Sequence, residues 1–520
     1  MTWQTLTHGW NGLALGWTLV AVPMWVGLAQ KKAAIRNWLA SPLFAVGLLI
    51  TALIVGSILR WLLSVEAEGA MGITLSFVCF VAVGYVGGHI VSRAGNNEAH
   101  KRGTVVGEGA AAQRLTRRLR KGTQPVLSLA SIAVTAEDET KHFKLIGTTG
   151  TGKSTAIREL LEGALQRGDR AVIADPDGSY LTRYYDRNRG DIILNPFDDR
   201  SVQWDPLAEI RNPFDIEVLA AALIASGESA SAREWRAYAR TFVTAVIEAC
   251  RQSEQPSIAD LWHKLTIATS DELRPILAST PIQPFLAPES AKMFGSLRSV
   301  ATSAVASLKY IQAQRATPFS VREWVRTGTG VLFIPYQADQ IDALRTVIAA
   351  WLRLAIVQTL SRTEGTERPL WFVIDELDAL GTIEGLKDAL ARLRKFGGRC
   401  VLGFQSIAQV SSTYGDGDAQ TIVENCGNTL ILRCSAAEHG GTARFASHLI
   451  GEREIIRTQV SRSRTWPSFF SARAGQVSRS VSQHHVTESA VLASEIEQLP
   501  DLTGLLKFAS NPTWLRVNLK

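Results

Sequence analysis

HFKLIGTTGTGKSTAIRELLEGALQRG, residues 142–168, decides how this chain folds. It opens on a short apolar run that reads as a strand, and its second half places Ile157, Leu160, Leu161 and Leu165 on one face of a helix. Between them lies the pattern G-x-x-x-x-G-K-[ST], met by Gly147, Gly152, Lys153 and Ser154, with Gly150 inside it and Thr155 just beyond. Strand, glycine-rich loop and helix in that order make a phosphate cradle. The residues Gly147, Thr148, Thr149, Gly150, Thr151, Gly152, Lys153, Ser154 and Thr155 bring backbone N–H groups to a helix N-terminus. Lys153 then neutralises β/γ-phosphate charge and the Ser154 hydroxyl is expected to ligate Mg2+, so the expected cofactors are ATP and Mg2+. The bland alternative, a flexible Gly/Thr turn, does not account for the strand and helix on either side.

A second stretch, PLWFVIDELDALG (369–381), is an uninterrupted apolar strand that ends in Asp375 and Glu376. A strand buried in a parallel sheet and delivering two acids at its end has the form of a Walker B element. Asp375 would hold Mg2+ through water and Glu376 would polarise the attacking water; a helix-capping role for Asp375 is the plainer alternative, and the adjacent acid argues against it. Downstream, IEGLKDALARLRKF reads as a helix closed by Gly397–Gly398, and RCVLGFQS as a strand ending in Gln405. An amide there either reports the γ-phosphate or simply sits at the end of a strand. With AVIADP (171–176) and NTLILR (428–433), five strands alternate with helices, which predicts a doubly wound α/β domain. Asp175 and Asp177 fall at a strand's carboxyl end, either beside the site or capping the next turn.

The first ninety residues have a different character. PLFAVGLLITALIVGSILRWLL (42–63) and AMGITLSFVCFVAVGYVGGHIV (70–91) each approach the ~20 apolar residues that cross a bilayer, with Arg60 the only charge and close enough to an end to reach the interface. Lys31, Lys32 and Arg36 precede this hairpin, Arg93, Lys101 and Arg102 follow it, and its connection carries only Glu66 and Glu68. The positive flanks assign the connection to the outside and everything after Val91 to the cytoplasm, where ATP is. An earlier apolar stretch, residues 13–29, contains Pro23 and is shorter, and its sequence leaves spanning, interfacial and re-entrant readings open. The net charge of +7 suits a polyanionic partner, nucleic acid or anionic lipid. Five scattered cysteines without a CxxC pair or zinc-ligand spacing exclude a zinc ribbon and read as small buried hydrophobes in a reducing compartment.

Together GTTGTGKST, RGDRAVIADPDGSYL (167–181), ILNPFDDRSVQWDPLAE (193–209), VIDELDAL, LRKFGGRCVLGFQSIAQVSSTYG (393–415) and ASEIEQLPDLTGLLKF (493–508) resemble the coupling proteins of conjugative type IV secretion systems, the TraD/TrwB-like, FtsK-related ATPases. The NPFD–WDPLAE stretch carries more of this resemblance than either nucleotide motif. It implies an α/β fold: a RecA-like P-loop ATPase domain with an inserted all-α domain and an N-terminal transmembrane anchor. The implied division is 1–92 for the anchor, with the hairpin at about 42–91, then 93–210 and 319–520 for the two parts of the RecA-like domain, and 211–318 for the insertion. It further implies a homo-hexamer in the bacterial inner membrane, multi-pass, with its motor in the cytoplasm. Such a motor binds DNA and uses ATP hydrolysis to deliver relaxase-bound single-stranded DNA to the secretion channel. Its partners would be single-stranded and also double-stranded DNA, the relaxase or relaxosome, inner-membrane secretion components and the lipid bilayer. In related hexamers an arginine of one subunit completes its neighbour's site, and the LRKFGGR segment resembles the region that carries it; Arg394 is the first choice and Arg399 the second, against solvated helix-end bases.

Two features depart from the family: a third apolar segment, and a chain that stops soon after the motor motifs without the long acidic tail some relatives use for docking. The latter assigns relaxosome recognition to the motor or helical parts. Two basic stretches add to the picture. Arg114, Arg117, Arg118, Arg120 and Lys121 follow the anchor and suit anionic headgroups first and exiting DNA second. Residues 457–480 are Ser/Arg-rich, contain Pro467 and read as a long loop. The rival readings are an FtsK-type chromosome pump, which normally carries more membrane helices and a winged helix, an exporter of protein effectors, and a non-pumping substrate receptor, for which Glu376 would be superfluous.

Overall fold

A computed structural model describes residues 10–30, 35–63, 70–93, 98–119, 126–226, 230–365, 368–435, 441–464 and 477–519. The chain divides into two compact units, residues 1–102 with 454–488, and 103–453 with 489–520.

In the first unit three helices, α1 (Trp10–Gln30), α2 (Ile35–Leu63) and α3 (Ala70–Arg93), pack on one another. Segments 37–63 and 70–91 are long and apolar enough to cross a membrane. Leu43, Ile50, Ile54, Val78, Val86 and Ile90 point outward, as lipid-facing side chains do. The stretch at 13–29 is helical throughout despite Pro23, and it is seated rather than loose. A Cβ on Gly84 would lie 2.4 Å from the Val20 carbonyl oxygen, and one on Gly88 2.3 Å from that of Met24. Glycines four apart on α3 therefore let the α1 backbone approach directly, the close-packing device of membrane helices. Trp25 Nε1 donates to Ser41 Oγ at 2.9 Å and the Tyr85 hydroxyl to Gln30 Oε1 at 2.9 Å, tying α1 to both neighbours. Arg60 does not reach outward as expected: its guanidinium is buried, donating to Ser57 and Ser76 hydroxyls that the packed helices supply. The connection at 64–69 and the cluster Lys31/Lys32 lie outside the described residues.

The 457–480 stretch corrects the loop reading. Strands Glu452–Arg464 and Val477–Ser489 form a three-stranded sheet with Glu98–Gly103, and only 465–476, Pro467 included, lie outside the described residues. Ile455, Ile456, Thr458 and Val460 give the first strand its β-branched character, which the arginines and serines mask in composition. Lys101 and Arg102 both bond the Glu454 carboxylate.

The second unit is built on a ten-stranded sheet. Its strands are β1 (Val106–Glu108), β2 (Phe143–Ile146), β3 (Arg170–Pro176), β4 (Ile192–Ile193), β5 (Val331–Tyr336), β6 (Leu370–Ile374), β7 (Gly398–Phe404), β8 (Asn428–Ile431), β9 (Thr503–Lys507) and β10 (Trp514–Asn518). The order is β1-β10-β9-β8-β2-β7-β6-β3-β5-β4, parallel from β8 to β4, with β9 and β10 added antiparallel. All five expected strands are present. β5, with Pro335 in its sequence, and the short β1, β4, β9 and β10 were not anticipated.

Both faces of the parallel part are covered, which explains its continuous apolar runs. Ala171 and Ile173 of β3 join Ile157, Leu160 and Leu161 of helix α4 (Lys153–Gln166) on one face; Val172 and Ala174 join Trp351 and Leu352 of helix α6 (Ile341–Leu360) on the other. α6 is apolar and long enough to cross a membrane, yet Trp351, Leu352 and Leu354 are fully buried in this core. Helix α5 (Ser179–Tyr184) follows β3 directly.

From Phe214 to Ala313 the described chain is helical, and its two ends are clasped together. Gln203–Trp204 pairs in parallel with Pro318–Phe319. Below this ladder the Glu209 carboxylate, 1% exposed, accepts hydrogen bonds from Trp204 Nε1, the Ser320 hydroxyl and the amides of Val321 and Arg322, at 2.7–3.0 Å. Burial raises its pKa while those donors oppose the rise. The WDPLAE stretch that carries the family resemblance is thus a structural clasp. Helix Ala110–Leu119 docks through Gln113, which donates to the Ala130 and Asn518 carbonyls, and leaves Arg114, Arg117 and Arg118 on its surface. Arg120 and Lys121 lie outside the described residues. All five cysteines are buried and free, as expected.

Candidate nucleotide-binding site

Parallel pairing in register brings the carboxyl ends of β2, β7, β6 and β3 side by side: Ile146 pairs Phe404, and Ile374 pairs both Leu402 and Ala174. The next residues, Gly147, Gln405 and Asp375, and Pro176 at the end of β3 therefore emerge on one rim, the place where open α/β sheets bind ligands. β6 and β7 lie close enough here that a Cβ on Gly403 would fall 2.3 Å from the Asp375 carbonyl oxygen. A cleft of about 370 Å³ opens on this rim.

The loop at residues 147–155 shapes one side of the cleft. Gly152, at φ 114°, caps α4 without any side-chain hydrogen bond, so the first-turn amides are left for a ligand. Thr148, Thr149, Gly150, Gly152, Lys153, Ser154 and Thr155 line the cleft. Gly147 and Thr151 are internal: Thr151 is buried, its hydroxyl donating to the Thr148 carbonyl at 2.7 Å, and the Gly147 carbonyl accepts from Lys153 Nζ at 2.6 Å. Lys153 also donates to the Thr148 carbonyl at 3.3 Å, so its ammonium is folded back on its own loop. Burial lowers its pKa, and the Asp375 and Glu376 carboxylates resist that fall.

Ser154 Oγ donates to Asp375 Oδ2 at 2.7 Å. Asp375 Oδ1 is buried with no hydrogen-bond partner in the protein, so it fits a water held by a cation. A hydroxyl, one carboxylate and the phosphates of a nucleotide make an oxygen donor set of the kind Mg2+ takes. Among the described residues no group of three or more His, Cys, Asp or Glu could hold a metal by itself. Glu376 lines the same cleft, its pKa raised by burial and then by the Asp375 and Asp378 charges. Gln405 lines the same cleft: its Oε1 accepts from the Thr149 hydroxyl at 3.0 Å and its Nε2 donates to Glu376 at 3.2 Å.

Asp175 takes the capping alternative. Its carboxylate, fully buried, accepts from the amides of Tyr180 and Leu181 at the start of α5, and burial pushes its pKa up to about 6. Asp177 lines the cleft, in a left-handed turn with φ 60°.

The two arginines part company. Arg394 is exposed on the turn Leu393–Phe396 before β7, while Gln405 follows the other end of that strand, roughly 20 Å away. It does not reach the cleft of its own chain. Arg399 is half-buried, donates to the Gly398 carbonyl and faces the Glu139, Arg167 and Asp169 charges.

Sequence reasoning missed Arg158, Ser179 and Leu502, which line the cleft, and Tyr180, whose hydroxyl donates to Asp375 Oδ2 at 2.7 Å. Arg158 lies one turn along α4 from the motif, where spacing alone could have found it. Leu502 comes from the far end of the chain, and its amide donates to the Thr151 carbonyl at 3.0 Å.

The sequence matches the family described as type IV secretion-system coupling protein DNA-binding domain over residues 126–520. It is 31% identical over 416 residues to the coupling protein TraD of Escherichia coli (strain K12), covering 78% of this chain and 56% of TraD. This chain thus spans little more than half the length of that relative. Among solved structures, the unbound bacterial conjugative coupling protein TrwBdeltaN70 superposes with a TM-score of 0.71 at 33% identity, covering 81% of this chain and 94% of that one. The plasmid coupling protein TrwB in complex with ADP and Mg2+ gives a TM-score of 0.70 with the same identity and coverage. On the strength of the family match, the chain belongs to the type IV secretion-system coupling proteins.

Proposed function

We propose that the protein is the membrane-anchored coupling ATPase of a conjugative type IV secretion system, binding DNA and delivering relaxase-bound single strands to the secretion channel at the expense of ATP. The observation that carries this reading is the convergence of Lys153, Ser154, Asp375, Glu376 and Gln405 on one cleft from three neighbouring strand ends. TrwB, 33% identical, has been seen with ADP and Mg2+, which supports the same ligands here.

In this reading the α4 amides and Lys153 take the β- and γ-phosphates, Lys153 exchanging its loop carbonyls for phosphate oxygens. Ser154 and Asp375 hold Mg2+, which neutralises phosphate charge when bound. Glu376 orients and polarises the attacking water, and Gln405 fixes Glu376 while reading the γ-phosphate through its link to Thr149. Arg394, exposed and remote from its own cleft, serves the neighbouring subunit's site in a homo-hexamer.

The parts are a multi-pass anchor within 1–92, a motor formed by 93–210 and 319–520 apart from the segments 93–102 and 454–488 that group with the first unit, and a helical insertion at 211–318. The anchor lies in the bacterial inner membrane with the motor in the cytoplasm, and the surface arginines of helix Ala110–Leu119 meet anionic headgroups. The test is ATP hydrolysis by the full chain in detergent, with and without single-stranded DNA, at rising protein concentration and two salt levels. Stimulation that grows cooperatively and weakens with salt supports an oligomeric DNA motor. DNA-indifferent hydrolysis would move the assignment to a receptor or protein exporter.

A further inference from the structure

Tyr180 has no part in the nucleotide motifs, yet it is fully buried and its hydroxyl meets the Walker B carboxylate. Asp375 Oδ2 accepts two hydroxyl protons, from Ser154 and from Tyr180, each at 2.7 Å. Ser154 is a ligand candidate itself, and its hydroxyl has to reorient when a cation arrives. The Tyr180 contact carries no such obligation. It comes from the far side, on α5, whose start is fixed to the sheet: Asp177 N–H donates to the Tyr336 carbonyl at 2.9 Å, and Asp175 accepts from the Tyr180 and Leu181 amides at 3.1 and 2.7 Å. Two left-handed residues, Asp177 and Gly178 (φ 60° and 66°), make the turn that aims the ring inward.

We propose that Tyr180 is a positioning residue of the cation site: it holds the Asp375 carboxylate in one rotation, so that Mg2+ meets a preset oxygen when nucleotide binds. Asp175 in turn sets Tyr180, which couples the end of β3 to the metal. The inference rests on the nucleotide-binding reading of the cleft.

The experiment is ADP binding to the full chain in detergent, titrated calorimetrically in EDTA and across a Mg2+ series, for wild type, Tyr180→Phe and Asp175→Asn. Phenylalanine keeps the ring and removes only the hydroxyl. For Tyr180→Phe, affinity in EDTA should stay within about twofold of wild type, while the Mg2+ concentration that half-saturates the tightening of ADP should rise about tenfold, the loss expected for a hydrogen bond to a charged group. Excess Mg2+ should restore both ADP affinity and hydrolysis. Asp175→Asn should shift the Mg2+ response in the same direction by less, and it decides the question if the phenylalanine variant does not fold. A wild-type Mg2+ response in the variants, or an affinity loss in EDTA equal to that in Mg2+, overturns the assignment. Failure of wild type to bind ADP at all would instead sink the nucleotide-site reading.

Discussion

Gln405 Nε2 donates to Glu376 Oε1 at 3.2 Å, and through its own Oε1 the same amide holds Thr149 of the phosphate loop. One side chain thus connects the glycine-rich loop to Glu376 at the end of β6. Gln405→Ala should leave nucleotide affinity within about threefold and lower the turnover of ATP about tenfold to hundredfold, because a preset donor is lost and nothing replaces it. Glu376→Gln should cost more, about a hundredfold to ten-thousandfold, again with binding retained. Single-turnover hydrolysis beside fluorescent-nucleotide binding separates the two effects. Equal losses in binding and turnover for Gln405→Ala would show that it supports only the loop.

The contrast between Gln405 and Tyr180 shows what the sequence could reveal. Gln405 ends an apolar strand whose period and Gly-Gly start are plain, so its place on the rim follows from register. Tyr180 sits on a six-residue helix after a left-handed turn, and its partner is 195 residues away. No periodicity encodes such a contact. The five central strands were legible because burial on both faces makes them continuously apolar. β9 and β10 were not, since antiparallel pairing at the end of a parallel sheet leaves no local mark, and the strands Glu452–Arg464 and Val477–Ser489 were hidden by their arginines and serines. The family-specific WDPLAE stretch drew attention for its resemblance, and what it does is structural: Trp204 and Glu209 hold together the two ends of the helical insertion.

His142 makes the second unit acid-sensitive. Its Nδ1 accepts from the Cys400 amide at 3.0 Å and its Nε2 proton goes to the Leu390 carbonyl at 2.9 Å, a neutral ring used at both nitrogens. Burial lowers its pKa from 6.5 to about 4, the Leu390 carbonyl opposes that shift, and the Arg399 and Arg394 charges reinforce it. Between those two values the unfolded chain binds a proton that the folded chain does not. Stability is therefore full above pH 6.5 and is lost as pH falls toward 4, by about 3 kcal/mol from this residue. His142→Asn should be less stable at pH 7.5 but fall less steeply, so urea unfolding curves of the two proteins should converge on acidification. Parallel pH profiles would exclude His142 as the source.

The anchor makes a topological prediction. α1 is 21 residues long, about 31 Å, enough for a hydrocarbon core of ~30 Å. Its apolar part, Ala14–Gln30, is shorter than the spans at 37–63 and 70–91, and its seat on Gly84 and Gly88 predicts a third crossing. With the basic residues 31, 32 and 36 inside, an epitope placed ahead of Trp10 should be reached by protease from the periplasmic side, and a reporter after Arg93 only from the cytoplasm. Gly88→Leu, which puts side-chain atoms where the Met24 carbonyl lies, should destabilise this packing by about 1–3 kcal/mol in SDS titration of mixed micelles. An epitope protected on the periplasmic side would make α1 interfacial or re-entrant.

Arg394 and Arg399 allow a test of trans action. Arg399 donates to the Gly398 carbonyl within its own chain and faces the charges of Glu139 and Asp169, so Arg399→Ala should act chiefly on stability. Arg394 is exposed, and removing a trans arginine from a phosphoryl-transfer site typically costs about 10³-fold or more in turnover. Arg394→Ala should therefore lose hydrolysis while binding nucleotide normally, and Lys153→Ala should be inactive because its own loop cannot hold phosphate. Mixed, the two dead variants complement each other wherever an intact loop of an Arg394→Ala subunit meets the intact Arg394 of a Lys153→Ala neighbour. Recovered hydrolysis that peaks at intermediate mixing ratios identifies Arg394 as the residue shared across the interface. No recovery at any ratio, in mixtures shown to co-assemble, would return Arg394 to the surface of its own subunit and leave the trans role unassigned.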